Sequence, residues 1–108
     1  MIGEEYNEKS QKLKIKIEQF LQAEYKWINE RAKIIDNLIE EFSKTDNDAR
    51  TELLNLKKDN EDSFALISSL EGMLKNRLTA DSISRYSELI QGYDKFSNSI
   101  TADLEKYL

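Results

Sequence analysis

The sequence predicts an all-α protein, an antiparallel bundle of three helices with a long first helix. The chain of 108 residues contains 0 Pro and 3 Gly, and 34% of it is charged, a composition that suits long helices and supplies few residues for tight turns. Apolar residues recur at helical spacing over long stretches. Polar segments near residues 45 and 79 divide this pattern into three. We therefore expect a single domain, 1–108, with helices at about 4–42, 46–78 and 80–108.

The first helix is predicted from a seven-residue repeat of large apolar residues. The two main rows along its surface are Tyr6, Leu13, Phe20, Trp27 and Ile34, and Leu21, Ile28, Ile35 and Phe42. With the residues beside them, these rows cover about half of the helix circumference, which is wider than the contact seam of a two-stranded coiled coil. We therefore expect this helix to contact two neighbouring helices.

The second helix is predicted to begin within the polar segment SKTDNDAR. Thr45 is its expected N-cap, with Asp48 three residues later in the arrangement of a capping box. The apolar spacing changes phase between Leu78 and Ile83, and Thr79 is the expected cap of a third helix. The alternative is that the second and third helices form one rod, which would bury no continuous apolar face.

All three predicted helices interrupt their apolar faces with polar residues at nearly the same height. Antiparallel pairing places Arg31 level with Asn60, and Glu24 level with Ile67. The predicted polar layer consists of Glu24, Arg31, Asn60, Ser63 and Ser97. One interpretation is that the layer fixes the register, because a shift of one turn would bury Arg31 or Asn60 without a partner at a cost of several kcal/mol. The alternatives are a weak middle where the bundle opens for a partner, and an exposed edge that holds Glu24 and Arg31.

Several large apolar residues are candidate contacts for a partner protein, because such side chains dominate protein interfaces. The candidates are Tyr6, Trp27, Ile34, Tyr86 and Tyr93. The alternative for most of them is an ordinary place in the core. Tyr6 lies on a stretch of the first helix that overhangs the other two, where it would be solvated or would dock on a partner or a second copy.

The composition argues against several classes of function. The net charge of -5 argues against nucleic-acid binding, which relies on clustered Lys and Arg. The longest apolar run, residues 64–67, is too short to cross a membrane. The chain has no Cys and no His, so disulfides, the usual zinc sites and the commonest general base are missing. We expect no enzyme activity, no metal site, no cofactor and a cytoplasmic location.

The segment from Arg31 onward resembles the flagellar export chaperones of the FliT type. In those small helical proteins, an Arg near the end of one helix precedes paired aliphatics, a short polar loop and a helical hairpin. The matching stretches are ERAKIIDNLIEEFSKTDNDARTELLNL and DNEDSFALISSLEGML, and the resemblance covers roughly residues 24–75. It implies binding of an aggregation-prone secretion client through apolar surface on the hairpin, with Phe64, Ile67 and Leu74 as client contacts.

The sequence therefore predicts a protein-binding module, a cytoplasmic chaperone or adaptor for a secreted or assembled client. One alternative is a structural bundle that self-associates, as a homodimer or within a larger coiled-coil assembly. Another is a small helical partner co-secreted with an ESX-type toxin, although Trp27 is followed by Ile28 and Asn29 where those proteins have a Trp-x-Gly turn.

Replacing Arg31 with leucine is expected to leave the fold intact or to stabilise it.

Overall fold

The computed structural model describes residues 2–74 and 80–108, with the side chains of residues 11–74 and 81–108. Within these residues it confirms an all-α bundle of three helices: α1 (Ile2–Phe42), α2 (Asn47–Met73) and α3 (Ala80–Glu105). The molecule measures 66 × 19 × 19 Å. The long dimension is that of α1, because 41 residues rising about 1.5 Å each span about 62 Å.

The turn between α1 and α2 differs in detail from the prediction. Asp46 is the N-cap of α2: its backbone is extended, with φ -152° and ψ 100°, and its carboxylate accepts a hydrogen bond from the N–H of Ala49 at 3.1 Å. The assignment of this cap to Thr45 is therefore wrong by one residue. Thr45 lies in the turn and donates its N–H to the carbonyl of Phe42 at 3.2 Å, because the chain needs one more residue to reverse direction.

The later helix boundaries also lie a few residues from the predicted ones. α2 ends at Met73, whereas the sequence predicted an end at 78; Thr79 lies outside the described residues. α3 ends at Glu105 rather than at 108, because the N–H groups of Tyr107 and Leu108 bond to carbonyls three residues back and tighten the last turn. The break between α2 and α3 is confirmed, and the single-rod alternative is wrong.

The register between α1 and α2 agrees with the prediction. Arg31 bonds to Asn60, and farther along the pair an ion pair joins Lys57 to Asp36 at 3.0 Å. α2 packs against both α1 and α3 more closely than those two pack against each other. Since α1 has 41 residues against 27 and 26 in α2 and α3, its first turns extend past the other helices.

Apart from Ala49, the buried apolar side chains form two separate clusters along the bundle. The far-end cluster, distant from the α1–α2 turn, consists of Ile17, Leu21, Ile28, Ile67, Leu70, Leu74, Tyr86 and Tyr93. The turn-end cluster, next to that turn, consists of Ile35, Leu38, Leu53, Leu56, Ile100 and Leu104. Polar residues from all three helices are buried between the clusters, and they form the site described next.

Candidate functional site

The guanidinium of Arg31 is the centre of a polar layer that connects the three helices. Its side chain is 0% exposed. The Nε donates a hydrogen bond to Oδ1 of Asn60 at 2.6 Å, and Nη2 donates to Oγ of Ser63 at 3.2 Å. The Nη1 donates to the carbonyl and hydroxyl oxygens of Ser97, at 3.0 and 2.8 Å, and to Oγ1 of Thr101 at 3.1 Å. One side chain of α1 is thereby bonded to both other helices.

The acceptors of Arg31 are themselves held by hydrogen bonds. The amide nitrogen of Asn60 donates to the carbonyl of Ile28 at 3.1 Å, so the amide oxygen faces the guanidinium. The hydroxyl of Ser63 donates to the carbonyl of Asn60 at 2.6 Å, and that of Thr101 donates to the carbonyl of Ser97 at 3.2 Å. Because each hydroxyl has used its hydrogen, its lone pairs remain free to accept from the guanidinium.

The layer holds a buried positive charge without a direct ionic partner. The salt bridges found among the described residues do not include Arg31. Burial lowers the pKa of Arg31, and the nearby Tyr93 and Glu24 act in the opposite direction; an arginine nevertheless remains protonated in proteins. The ring of Trp27 lies 5.8 Å from the guanidinium carbon, within the range of a cation–π interaction. The layer is therefore a cation surrounded by neutral acceptors.

The structure brings together four of the five residues predicted for the layer. Arg31, Asn60, Ser63 and Ser97 are buried, which contradicts the alternative that Arg31 occupies an exposed edge. Glu24 is only half-buried and lies at the margin of the layer, near enough for its charge to act on Arg31.

Sequence reasoning missed two contributors to the layer, Thr101 and the ring of Trp27. The sequence does contain a signal for each of them. Thr101 follows Ser97 by four residues and Trp27 precedes Arg31 by four residues, so each lies on the same helix face as its neighbour.

Two buried tyrosines of α3 differ in how their hydroxyl groups are satisfied. The hydroxyl of Tyr86 donates to the carbonyl of Leu70, and burial raises the pKa of Tyr86 to about 12. The hydroxyl of Tyr93 is buried and has no hydrogen-bond partner within the part of the chain that the structure describes. Burial, with a smaller contribution from Glu24, raises the pKa of Tyr93 far above its usual range. Ser97 and Glu24 lie near enough to act on the pKa of this hydroxyl, so the cost of its poor pairing is at the low end of the roughly 1–3 kcal/mol of an unpaired buried group.

The predicted partner contacts have different environments in the structure. Four are buried in the far-end cluster: Ile67, Leu74, Tyr86 and Tyr93. These four are core residues because the neighbouring helices cover them, and a partner reaches them only if the helices separate. Trp27 and Ile34 are half-buried, Phe64 is 42% exposed, and the side chain of Tyr6 lies outside the described part of the chain.

Exposed apolar side chains are concentrated at the far end of the bundle. Among the described residues, the exposed large ones are Ile15, Phe64, Leu66 and Leu89 at the far end, and Leu54 and Leu108 at the turn end. A cleft of about 650 Å³ between α1 and α2 is also located at the far end. Its lining includes the apolar Ile15, Leu21 and Leu74 and the charged Lys14 and Glu71. These features make the far end the best candidate for contact with another protein.

The described residues include no group of three or more acidic side chains placed to hold a metal ion. None of the helices described combines the length and the apolarity that a membrane span requires. The chain matches no model of a known protein family, and it shows no significant similarity to a curated protein or to a solved structure.

Proposed function

We propose that the chain is a protein-binding helical module, a cytoplasmic chaperone or adaptor for a secreted or assembled client. The observation that supports this proposal best is the exposed apolar surface at the far end, where Ile15 lines a cleft between α1 and α2. Phe64, Leu66 and Leu89 are exposed elsewhere on the same half of the bundle. Exposed apolar surface rimmed by polar residues is characteristic of protein-interaction sites. The resemblance to flagellar export chaperones of the FliT type adds the expectation that the client is an exported protein.

The chemistry of the cleft favours an amphipathic helix as the client segment. Ile15, Leu21 and Leu74 form an apolar floor on which one apolar helix face can pack, as in other helix-in-groove complexes. Lys14 and Glu71, which also line the cleft, carry opposite charges, and charges at an interface set the orientation of a bound helix more than its affinity.

The test is capture of binding proteins from the native cell extract, with the bound proteins identified by mass spectrometry. We expect an exported or assembled protein to be retained. Ile15→Glu, which places a charge in the cleft, is expected to weaken binding of that client by roughly 30-fold or more, the effect of losing one important contact. Leu54→Glu is the matched control, because Leu54 is similarly exposed but lies at the turn end.

The results separate the proposal from its alternatives. Retention of a client that Ile15→Glu loses and Leu54→Glu keeps would support a binding site at the cleft. Equal loss in both variants would place the contact elsewhere, and a Trp27→Ala variant then tests the half-buried ring beside Arg31. Recovery of the chain alone would contradict the chaperone proposal.

A structural module that self-associates is the second candidate, and the length of α1 favours it. The first turns of this helix extend past α2 and α3, and a second copy could pair with the same stretch. Sedimentation equilibrium of the full chain and of a variant lacking residues 1–10 tests this candidate. A stable dimer that becomes a monomer on truncation would support it, and a monomeric full chain would exclude it.

A further inference from the structure

We infer that the half of α1 preceding Arg31 detaches from α2 and α3 as a unit, while the polar layer and the turn-end cluster remain folded. This inference concerns the free chain and does not depend on the proposed function. It follows from the position of the layer, the connection between the helices and the contacts at the far end.

The polar layer is a natural end point for such an opening. The far-end and turn-end clusters have no residue in common, and Arg31, Asn60, Ser63 and Ser97 are buried between them. An opening that reaches the layer exposes one side of the guanidinium to water and recovers part of the hydration energy that burial removed. The hydrogen bonds of Arg31 to α2 and α3 remain intact, so the opening has no reason to extend further.

The connection between the helices decides which end opens. At the turn end, α1 and α2 are joined by the short segment 43–46, and Asp46 caps α2 there. These helices therefore cannot separate at that end without losing the turn and the cap. At the far end the chain does not pass from α1 into α2 or α3, so the first half of α1 can move away without rearranging a turn between these helices.

The contacts of this half of α1 are mainly apolar. One buried hydrogen bond crosses to α2, from the amide of Asn60 to the carbonyl of Ile28, and opening replaces it with bonds to water. Its buried side chains are Ile17, Leu21 and Ile28. Tyr25 bonds to Ser68 and Glu71, but at an exposed position where water competes for the same groups. The cleft lies beside Leu21, and the hydroxyl of Tyr93 on the facing helix is buried without a partner among the described residues. Opening hydrates this hydroxyl and so removes its desolvation penalty.

Detachment would expose the face of α2 and α3 that the half-helix covers. That face includes Ile67, Leu74, Tyr86 and Tyr93, the four predicted contacts that are buried in the closed bundle. The bond from Tyr86 to the carbonyl of Leu70 joins α3 to α2 directly, so these two helices can stay paired after α1 has left.

Thiol labelling of single-cysteine variants tests this inference, since the chain has 0 Cys. Ile17→Cys and Leu38→Cys are matched, because both replace an aliphatic residue of α1 that is 7% exposed and they lie on opposite sides of Arg31. Neither residue lines the cleft. With an excess of a chromogenic disulfide reagent, and after correction for the global stability of each variant, we expect Ile17→Cys to react roughly tenfold or more faster. Equal reaction, or faster reaction of Leu38→Cys, would overturn the inference.

Hydrogen exchange of the unmodified chain gives a second test that needs no substitution. A helix that has lost its neighbours is only marginally stable in water, so the detached half of α1 readily breaks its own backbone hydrogen bonds. Amides of residues 17–28 are therefore expected to exchange roughly tenfold or more faster than those of 34–41, through an opening with a weak dependence on urea. Amides of α2 and α3 at the same height should keep the slower rate. If they exchange as fast as residues 17–28, the whole far end unfolds together; if all protected amides share one rate, no partial opening exists. Either result contradicts detachment of α1.

Discussion

The polar layer leads to a sharp prediction about Asn60. Replacing Asn60 with leucine removes the oxygen that accepts from Nε of Arg31 at 2.6 Å, while the positive charge stays buried. Replacing Arg31 with methionine instead removes the charge but keeps an unbranched side chain that can follow a similar path into the core. We expect the loss of the acceptor to destabilise the protein more than the loss of the charge.

The magnitudes follow from what each substitution leaves behind. Asn60→Leu leaves the charged Nε–H of Arg31 without its acceptor, which costs about 3 kcal/mol or more for a charged group. The burial of leucine at a position that is 3% exposed offsets part of this cost, and we expect a net loss of about 2–3 kcal/mol. Arg31→Met leaves the Asn60 oxygen unpaired, at about 1–3 kcal/mol, but removes a desolvation penalty of similar or larger size. We therefore expect its stability to lie within about 1 kcal/mol of the original. The same reasoning retains the expectation that Arg31→Leu is tolerated.

The double variant Arg31→Met/Asn60→Leu isolates the interaction between these two residues. Both polar groups are then gone, so the double variant should be at least as stable as Arg31→Met alone. Its free energy of unfolding should differ from the sum of the two single effects by about 2–3 kcal/mol. Urea unfolding followed by far-UV circular dichroism measures the free energy of unfolding. Fluorescence of Trp27, which lies 5.8 Å from the guanidinium carbon, reports on the layer itself.

Exposed residues of the same types provide the controls. Arg50→Met and Asn55→Leu replace exposed side chains of α2, and each should change the free energy of unfolding by about 0.5 kcal/mol or less. The reasoning is refuted if Asn60→Leu is tolerated as well as Asn55→Leu. It is also refuted if Arg31→Met proves more damaging than Asn60→Leu, because the charge would then stabilise the fold outright.

Three further predictions concern the cap and the buried tyrosines, and urea unfolding measures each of them. Asp46→Ala removes the acceptor for the N–H of Ala49 and should cost about 1 kcal/mol; an unchanged free energy of unfolding would show that this cap is dispensable. Tyr86→Phe removes the bond to the Leu70 carbonyl and should lower the free energy of unfolding by about 1 kcal/mol. Tyr93→Phe removes an unpaired buried hydroxyl and should raise it by up to about 1 kcal/mol. Effects of the same sign in the two variants would contradict this contrast. Folding raises the pKa of Tyr86 from 10.0 to about 12. Its contribution to stability is therefore complete below about pH 10 and should be lost as the pH rises from about 10 to about 12. Tyr86→Phe should reduce this loss of stability, and an equal loss in the variant would contradict the assignment to Tyr86.

Much of the candidate site was predictable because a helix repeats its environment at regular intervals. The period of apolar residues in α1 indicated its extent, and its end at Phe42 agrees with the prediction. Arg31 and Asn60 interrupt the apolar faces of their helices, and antiparallel pairing of neighbouring helices places them at one height. Neither inference required knowledge of distances between helices.

The N-cap of α2 was harder to predict, because Thr45 and Asp46 are both residue types that cap helices well. Local preference alone does not distinguish adjacent candidates. The number of residues needed to turn the chain back decides between them, and that number depends on how α1 and α2 pack.

The sequence by itself determined that this chain forms long helices with a polar interruption at a shared height, because helix formation and periodicity are properties of neighbouring residues. Only the tertiary structure decided that Arg31 is surrounded by neutral acceptors. It also decided that Tyr86 bonds to a carbonyl while Tyr93 has no partner among the described residues. The burial of Ile67 and Leu74 is likewise a result of how the helices pack. Periodicity gives the direction of a side chain around its own helix axis. What that side chain meets depends on the distance and rotation of the other helices, which are set by the packing of all three together.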